Sequence, residues 1–172
     1  MIEQRTIKRR DLMAAMGKGV LAAAVGGAVG PARQSYGRLG PSEKVIVALI
    51  GCGGMGSHHL GNLLKRKDVE VAAVCDVYTP RYEAAAKRVG GQCQGYQDYR
   101  RILDRKDIDA IWVATPDHWH ALMMIHGCQA WKDVYVEKPL TTSIAEGRKM
   151  VETARRYGRV VQVGIQQRSM EV

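Results

Sequence analysis

The chain contains no phenylalanine, and only three tryptophans and seven tyrosines among its 172 residues. So few aromatics leave no basic-aromatic surface on which unpaired nucleic-acid bases could stack. The four cysteines (Cys52, Cys75, Cys93, Cys128) form no C-x-x-C pair and show no zinc spacing. They read as small buried hydrophobes, and no metal site is expected. No internal repeat is visible. No apolar run is suited to a stable membrane anchor: the most apolar stretch, Leu12 to Val29, carries Lys18 and is loosened by repeated glycines.

What is present is ordinary for a globular domain: 46% hydrophobic and 25% charged residues. The formal charge is +9. The positive residues are spread over predicted helix faces, which fits solubility and attraction for anionic ligands better than a nucleic-acid partner.

Residues 1–32 differ from the rest. A positive head (Lys8, Arg9, Arg10), an apolar middle and a small-residue end (Gly30-Pro31-Ala32) follow the order of an export signal. The adjacent Arg9 and Arg10 make it resemble a twin-arginine signal, an address read by the twin-arginine machinery, and the expected destination is the periplasm. Lys8 and Leu12 depart from the usual pattern at their positions. That route carries folded proteins, so free thiols are compatible with it. Residues 33–43, with Pro41, read as a linker.

From Lys44 the pattern alternates. The short apolar run at 44–50 suits a buried parallel strand, and further strands are expected at 69–75, 93–96 (brief), 109–114, 134–136 and 160–164. Helices are expected at 54–65, 80–89, 99–103, 119–131 and 144–157. Ser143 caps the last of these, with Glu146 three residues on, and Gly158 ends it. Strand–helix alternation at this spacing means parallel pairing through right-handed crossovers. The expected fold class is therefore α/β: a Rossmann-type doubly wound parallel sheet of about six strands over residues 44–165.

Gly51-Cys52-Gly53-Gly54-Met55-Gly56 matches G-x-G-x-x-G between the first strand and the first helix. Gly51 permits a tight turn, Gly53 leaves room for a diphosphate, and Gly56 lets the helix pack close to the strand. The uncapped N–H groups and positive dipole end of the helix then face the phosphate charge. Asp76 lies 20 residues beyond Gly56, at the end of the second strand. A carboxylate there accepts the adenine-ribose hydroxyls and repels a 2′-phosphate, which favours NAD over NADP. Arg81 nearby could still draw in a 2′-phosphate.

Two further strand ends carry chemistry. Thr115-Pro116-Asp117-His118-Trp119-His120 follows the fourth strand, and Glu137-Lys138-Pro139 follows the fifth. Both fall at carboxyl ends, where doubly wound sheets bind ligands. His118 and His120 lack companion ligands for a metal. Lys138 is a candidate proton-handling group. His58, His59 and His126 fall on expected helices and are assigned no chemistry. Trp112 and Trp131 read as core or helix-end packing.

Taken together, Ile50-Gly-Cys-Gly-Gly-Met-Gly56, Asp76, Ala114-Thr-Pro-Asp-His-Trp-His120 and Lys132-Asp-Val-Tyr-Val-Glu-Lys-Pro139 resemble the Gfo/Idh/MocA oxidoreductases, named after glucose–fructose oxidoreductase and inositol dehydrogenase. The resemblance runs from about Lys44 to Ser169. It implies that Lys138 lies by the nicotinamide and orients or deprotonates a sugar hydroxyl. It also implies that Thr115, Pro116, His120 and Glu137 belong to the cofactor-binding set, with Gly51, Cys52, Gly53, Gly54, Met55, Gly56 and Asp76. The implied substrates are sugars, inositols and related polyols.

The family's second, α+β domain would supply the substrate pocket and the usual oligomer surface. Residues 166–172 read as a stub at the point where that domain would begin. The expectation is thus the cofactor-binding half of an exported sugar or polyol oxidoreductase, truncated and with little activity alone. The alternatives are a dehydrogenase completed by a partner chain, or by self-association into a homo-oligomer, and a non-enzymatic domain that senses NAD.

Overall fold

The segment VIVALI (Val45–Ile50) has no polar residue at either parity, as a strand covered on both faces requires. It forms β1 at the centre of the sheet. The computed structural model describes residues 44–165; the expected leader, linker and stub lie outside the described residues. Along the chain follow α1 (Gly54–Leu63), β2 (Val69–Cys75), α2 (Thr79–Val89), β3 (Gln94–Tyr96), α3 (Arg100–Leu103), β4 (Ala110–Val113), a 3₁₀ turn (Asp117–Trp119), α4 (His120–Gln129), β5 (Asp133–Glu137), α5 (Ile144–Tyr157) and β6 (Val161–Gly164). All pairings are parallel, in the order β3-β2-β1-β4-β5-β6. This is the expected doubly wound sheet of six strands, and the direction of winding reverses between β1 and β4.

Alternation along β1 divides the core. Ala48 and Ile50 join Ile111, Val113, Val134, Val136 and the buried faces of α4 and α5. Val47 and Leu49 join Leu60, Leu63, Val71, Val74 and Ala85 beneath α1 and α2. Helix α1 meets the sheet along the stripe Gly56, Leu60 and Leu63, spaced four and three residues apart.

Ladder register slips once: Val47 pairs with Val71 but Ala48 with Ala73. The skipped Ala72 gives its carbonyl to Arg105 Nη1 at 3.1 Å. Lys132 is buried in the other half, and its Nζ donates to the carbonyls of Arg105 and Ile108 at 2.5 and 2.7 Å. Burial moves this ammonium below its ordinary pKa, with Lys106 adding like-charge repulsion.

Two helix ends differ in detail from the sequence expectation. The helix expected at 119–131 is confined to α4, with the 3₁₀ turn Asp117–Trp119 before it, because Pro116 holds an extended backbone and the chain tightens before the helix proper. At its far end Trp131 stands in the left-handed region (φ 63°), with Lys132 N bonded to Gly127 O and Trp131 N to Cys128 O. This is a Schellman closure with tryptophan where glycine is usual. At α5, Ser143 Oγ accepts the Glu146 N–H at 3.3 Å as expected, but the Glu146 carboxylate takes the hydroxyls of Thr141 and Thr142 at 2.7 and 3.2 Å.

Candidate dinucleotide site

Of the four loop glycines, two are required by the protein's own packing and two are not. Gly51 has φ +94°, and a Cβ there would stand 2.5 Å from Ala114 O. A Cβ on Gly56 would stand 1.8 Å from Gly51 O, so α1 can lie this close to β1 only with glycine there. Gly53, by contrast, would meet only Arg81 Nη1, at 3.9 Å, and Gly54 nothing within 4 Å. The open space left by these two lies in front of α1. That helix has no side-chain cap and no acid in its first turn. Its first N–H groups are therefore available to an anion, with the helix dipole in support.

Asp76 follows β2 and is 8% exposed. Its Oδ2 accepts the Cys52 N–H and its Oδ1 the Tyr78 N–H, both at 2.9 Å. The carboxylate thus spans the glycine loop and the turn after β2. Two acceptor positions remain, enough for a vicinal diol. Gly51, Gly53, Gly54, Asp76, Thr115 and Pro116 all line one crevice of about 670 Å³, joined by Arg81 and Trp119. Thr115 Oγ1 is buried there without a hydrogen-bond partner among the described residues. An open glycine cradle, a diol-accepting acid and an unpartnered hydroxyl fit a dinucleotide, which Gly53, Gly54, Asp76 and Thr115 would hold.

The other named residues lie outside those walls. Cys52 is buried, its thiol turned to Cys75 O at 3.4 Å. Burial, followed by the charge of Asp76, pushes its pKa up to about 12, and burial does the same to Cys75. Gly56 packs on Gly51. Met55 is 39% exposed and lines a separate groove with His58 and His59. His120 is 1% exposed, with Nδ1 2.7 Å from Pro139 O and Nε2 2.8 Å from Thr115 O. It joins the turns after β4 and β5 and presents no ring face to the crevice. Lys138 is exposed at the carboxyl end of β5, where its peptide bond to Pro139 is cis. Glu137, just before it, is buried.

Sequence reasoning passed over His59. In the structure its Nε2 lies 2.6 Å from Glu137 Oε1. The available signal was positional: His59 is three residues past Gly56, on the helix face turned to the sheet. His126 also has a partner, its Nδ1 being 2.8 Å from Tyr99 Oη.

Residues 45–165 match the family described as "Oxidoreductase family, NAD-binding Rossmann fold" (Gfo/Idh/MocA). An inositol 2-dehydrogenase of Rubrobacter xylanophilus is 35% identical over 131 residues, which is 75% of this chain and 37% of that protein. The crystal structure of myo-inositol 2-dehydrogenase from Lactobacillus plantarum superimposes with a TM-score of 0.71 at 27% identity, covering 75% of this chain and 38% of that one. The WlbA dehydrogenase of Chromobacterium violaceum, solved with NADH and UDP-GlcNAcA, gives 0.71 at 30% identity, over 74% of this chain and 37% of that one. The chain therefore spans well under half the length of these relatives. The match over 45–165, on a Rossmann sheet whose glycine loop and Asp76 meet in one crevice, makes this chain a member of the Gfo/Idh/MocA oxidoreductases through their NAD-binding domain.

Proposed function

We propose that the chain is the cofactor half of an exported polyol or sugar dehydrogenase. The carrying observation is the pair Gly53 and Gly54, glycines that the protein's own packing does not require, opening in front of α1 beside Asp76. The diphosphate is held at the α1 N-terminus and the adenine ribose at Asp76, whose negative charge disfavours a 2′-phosphate. Thr115 and Pro116 border the cofactor from β4. Bound NAD supplies the hydride-accepting carbon. Lys138, exposed beyond β5, holds the substrate hydroxyl and takes its proton as the carbon is oxidised, or returns it in the reverse direction. A polyol or sugar substrate is supported by the inositol dehydrogenases among the relatives.

Because the chain spans 37% of such a relative, turnover is assigned to the half together with a substrate domain, in a longer chain or a separate one. Export by the twin-arginine route rests on Lys8-Arg9-Arg10 and the apolar run after it, outside the described residues. Titration with NADH, followed by protein and nicotinamide fluorescence, should give saturable binding, with NADPH weaker. A screen of NAD with inositols and sugars, alone and with a candidate substrate-domain chain, should show turnover only in the completed form. Folded protein that binds neither NAD nor NADH overturns the proposal.

A further inference from the structure

Helix α1 begins at the glycine loop, and its second turn carries His59 to the carboxyl end of β5. His59 Nε2 lies 2.6 Å from Glu137 Oε1, with side chains 13% and 5% exposed. Facing a carboxylate, that nitrogen serves as the N–H donor. The second oxygen, Oε2, accepts the backbone N–H of Lys138 at 3.0 Å. One buried carboxylate therefore connects α1 to the main chain of the lysine.

The surroundings are built around this contact. The Tyr135 ring meets His59 edge-on with centroids 5.3 Å apart, and stacks on Trp112 at 4.4 Å. Tyr135 titrates above its ordinary value, first through burial and then through the Glu137 charge. Gly164 of β6 leaves the room: a Cβ there would lie 2.4 Å from Tyr135 Oη and 2.9 Å from Glu137 Oε1. A carboxylate removed from water must have its lone pairs filled, and His59 is the partner that arrives from another element.

We propose that His59 is a positioning residue for Lys138. Acting through Glu137, it fixes the backbone direction from which the lysine side chain leaves β5, and ties that direction to the helix that receives the diphosphate. This deepens the reading of Lys138 given above and rests on it. The helix that starts at the glycine loop and the turn that carries the lysine then share one connection, running from His59 through Glu137 to the Lys138 backbone.

The test reads Lys138 without cofactor or turnover. The full chain is acetylated with acetic anhydride across a pH series, and acetylation at Lys138 is measured by peptide mass spectrometry against Lys87, exposed on α2. The titratable neighbours of the contact are His58, whose ring centroid is 6.1 Å from that of His59, together with Tyr135, Glu137 and Lys138. In His59→Asn the shorter amide falls away from Glu137, and Lys138 should react at a rate altered about threefold or more, the equivalent of about half a pH unit in its profile. His59→Gln returns an N–H donor near the Nε2 position and should restore the wild-type profile. Glu137→Gln should behave as His59→Asn, while Lys87 stays constant throughout. Identical Lys138 profiles in all four proteins overturn the proposal, as does a Gln variant no closer to wild type than the Asn variant. NADH titration of the wild-type sample separately judges the cofactor reading, since the acetylation comparison stands whether or not NADH binds.

Discussion

The carboxylate of Asp76 accepts the backbone N–H of Cys52 at 2.9 Å, joining residues 24 apart in sequence across the first β-α-β unit. Its other oxygen holds the Tyr78 N–H, so the proposed ribose acceptor also shapes the glycine loop. Asp76→Ala should therefore lose stability as well as affinity. Two hydrogen bonds to a charged acceptor are removed, for a cost of about 2–4 kcal/mol in chemical denaturation. Asp76→Ser should weaken NADH binding by tenfold or more, about 1.4 kcal/mol, and narrow the gap between NADH and NADPH. Unchanged NADH affinity in the serine variant would remove Asp76 from the cofactor site.

The glycines divide into two experiments. Gly56→Ala places a methyl on the Gly51 carbonyl and should prevent α1 from docking, seen as lost or strongly lowered thermal unfolding. Gly53→Ala meets nothing closer than Arg81 Nη1 at 3.9 Å, so its melting temperature should stay near wild type. Its methyl instead fills the space given to the diphosphate, and NADH affinity should fall by tenfold or more, about 1.4 kcal/mol. A Gly53→Ala protein that binds NADH normally would place the anion elsewhere.

Thiol chemistry gives a pH-dependent test. With Cys52 and Cys75 pushed up to about 12, native protein at mildly alkaline pH should resist iodoacetamide at both positions, with a thiolate fraction about a thousandfold below that of an exposed cysteine. Denaturant should abolish the protection. The sign of the linked stability follows: above about pH 9 the unfolded thiols release protons that the folded ones retain, so stability falls as pH rises further. Rapid native labelling at Cys52, read by peptide mass, would contradict its burial.

For the proposed leader, replacement of Arg9 and Arg10 by Lys keeps the charge but should hold the protein in the cytoplasm, measured by fractionation and immunoblotting. Equal export of the Lys-Lys form would defeat the twin-arginine reading.

The fold was legible because the central strands β1, β2 and β4 are short, mostly apolar runs separated by helical stretches, and the boundaries of β2 and α5 coincide with those read from sequence. The packing roles of Gly51 and Gly56 were legible because a tight turn and a close helix–strand approach dictate glycine there. The partners of Glu137 and His120 were not. Pairing His59 with Glu137 spans 78 residues, and it depends on α1 lying against the face of the sheet to which Glu137 points. His120 read as a residue beside the cofactor because its motif follows a strand end, whereas the ring turns inward onto two carbonyls. Spacing along a chain reports which backbone groups are neighbours, and it does not report which way a ring turns at the start of a helix.

The inward turn of His120 has a mechanical outcome. Thr115 travels with β4 and Pro139 with β5, and the His120 ring lies between their carbonyls, donating its N–H to the one that its tautomer selects. Parting the two turns exposes a ring that is 1% accessible, so the packing of His120 holds these strand ends together beyond what the β4–β5 ladder supplies.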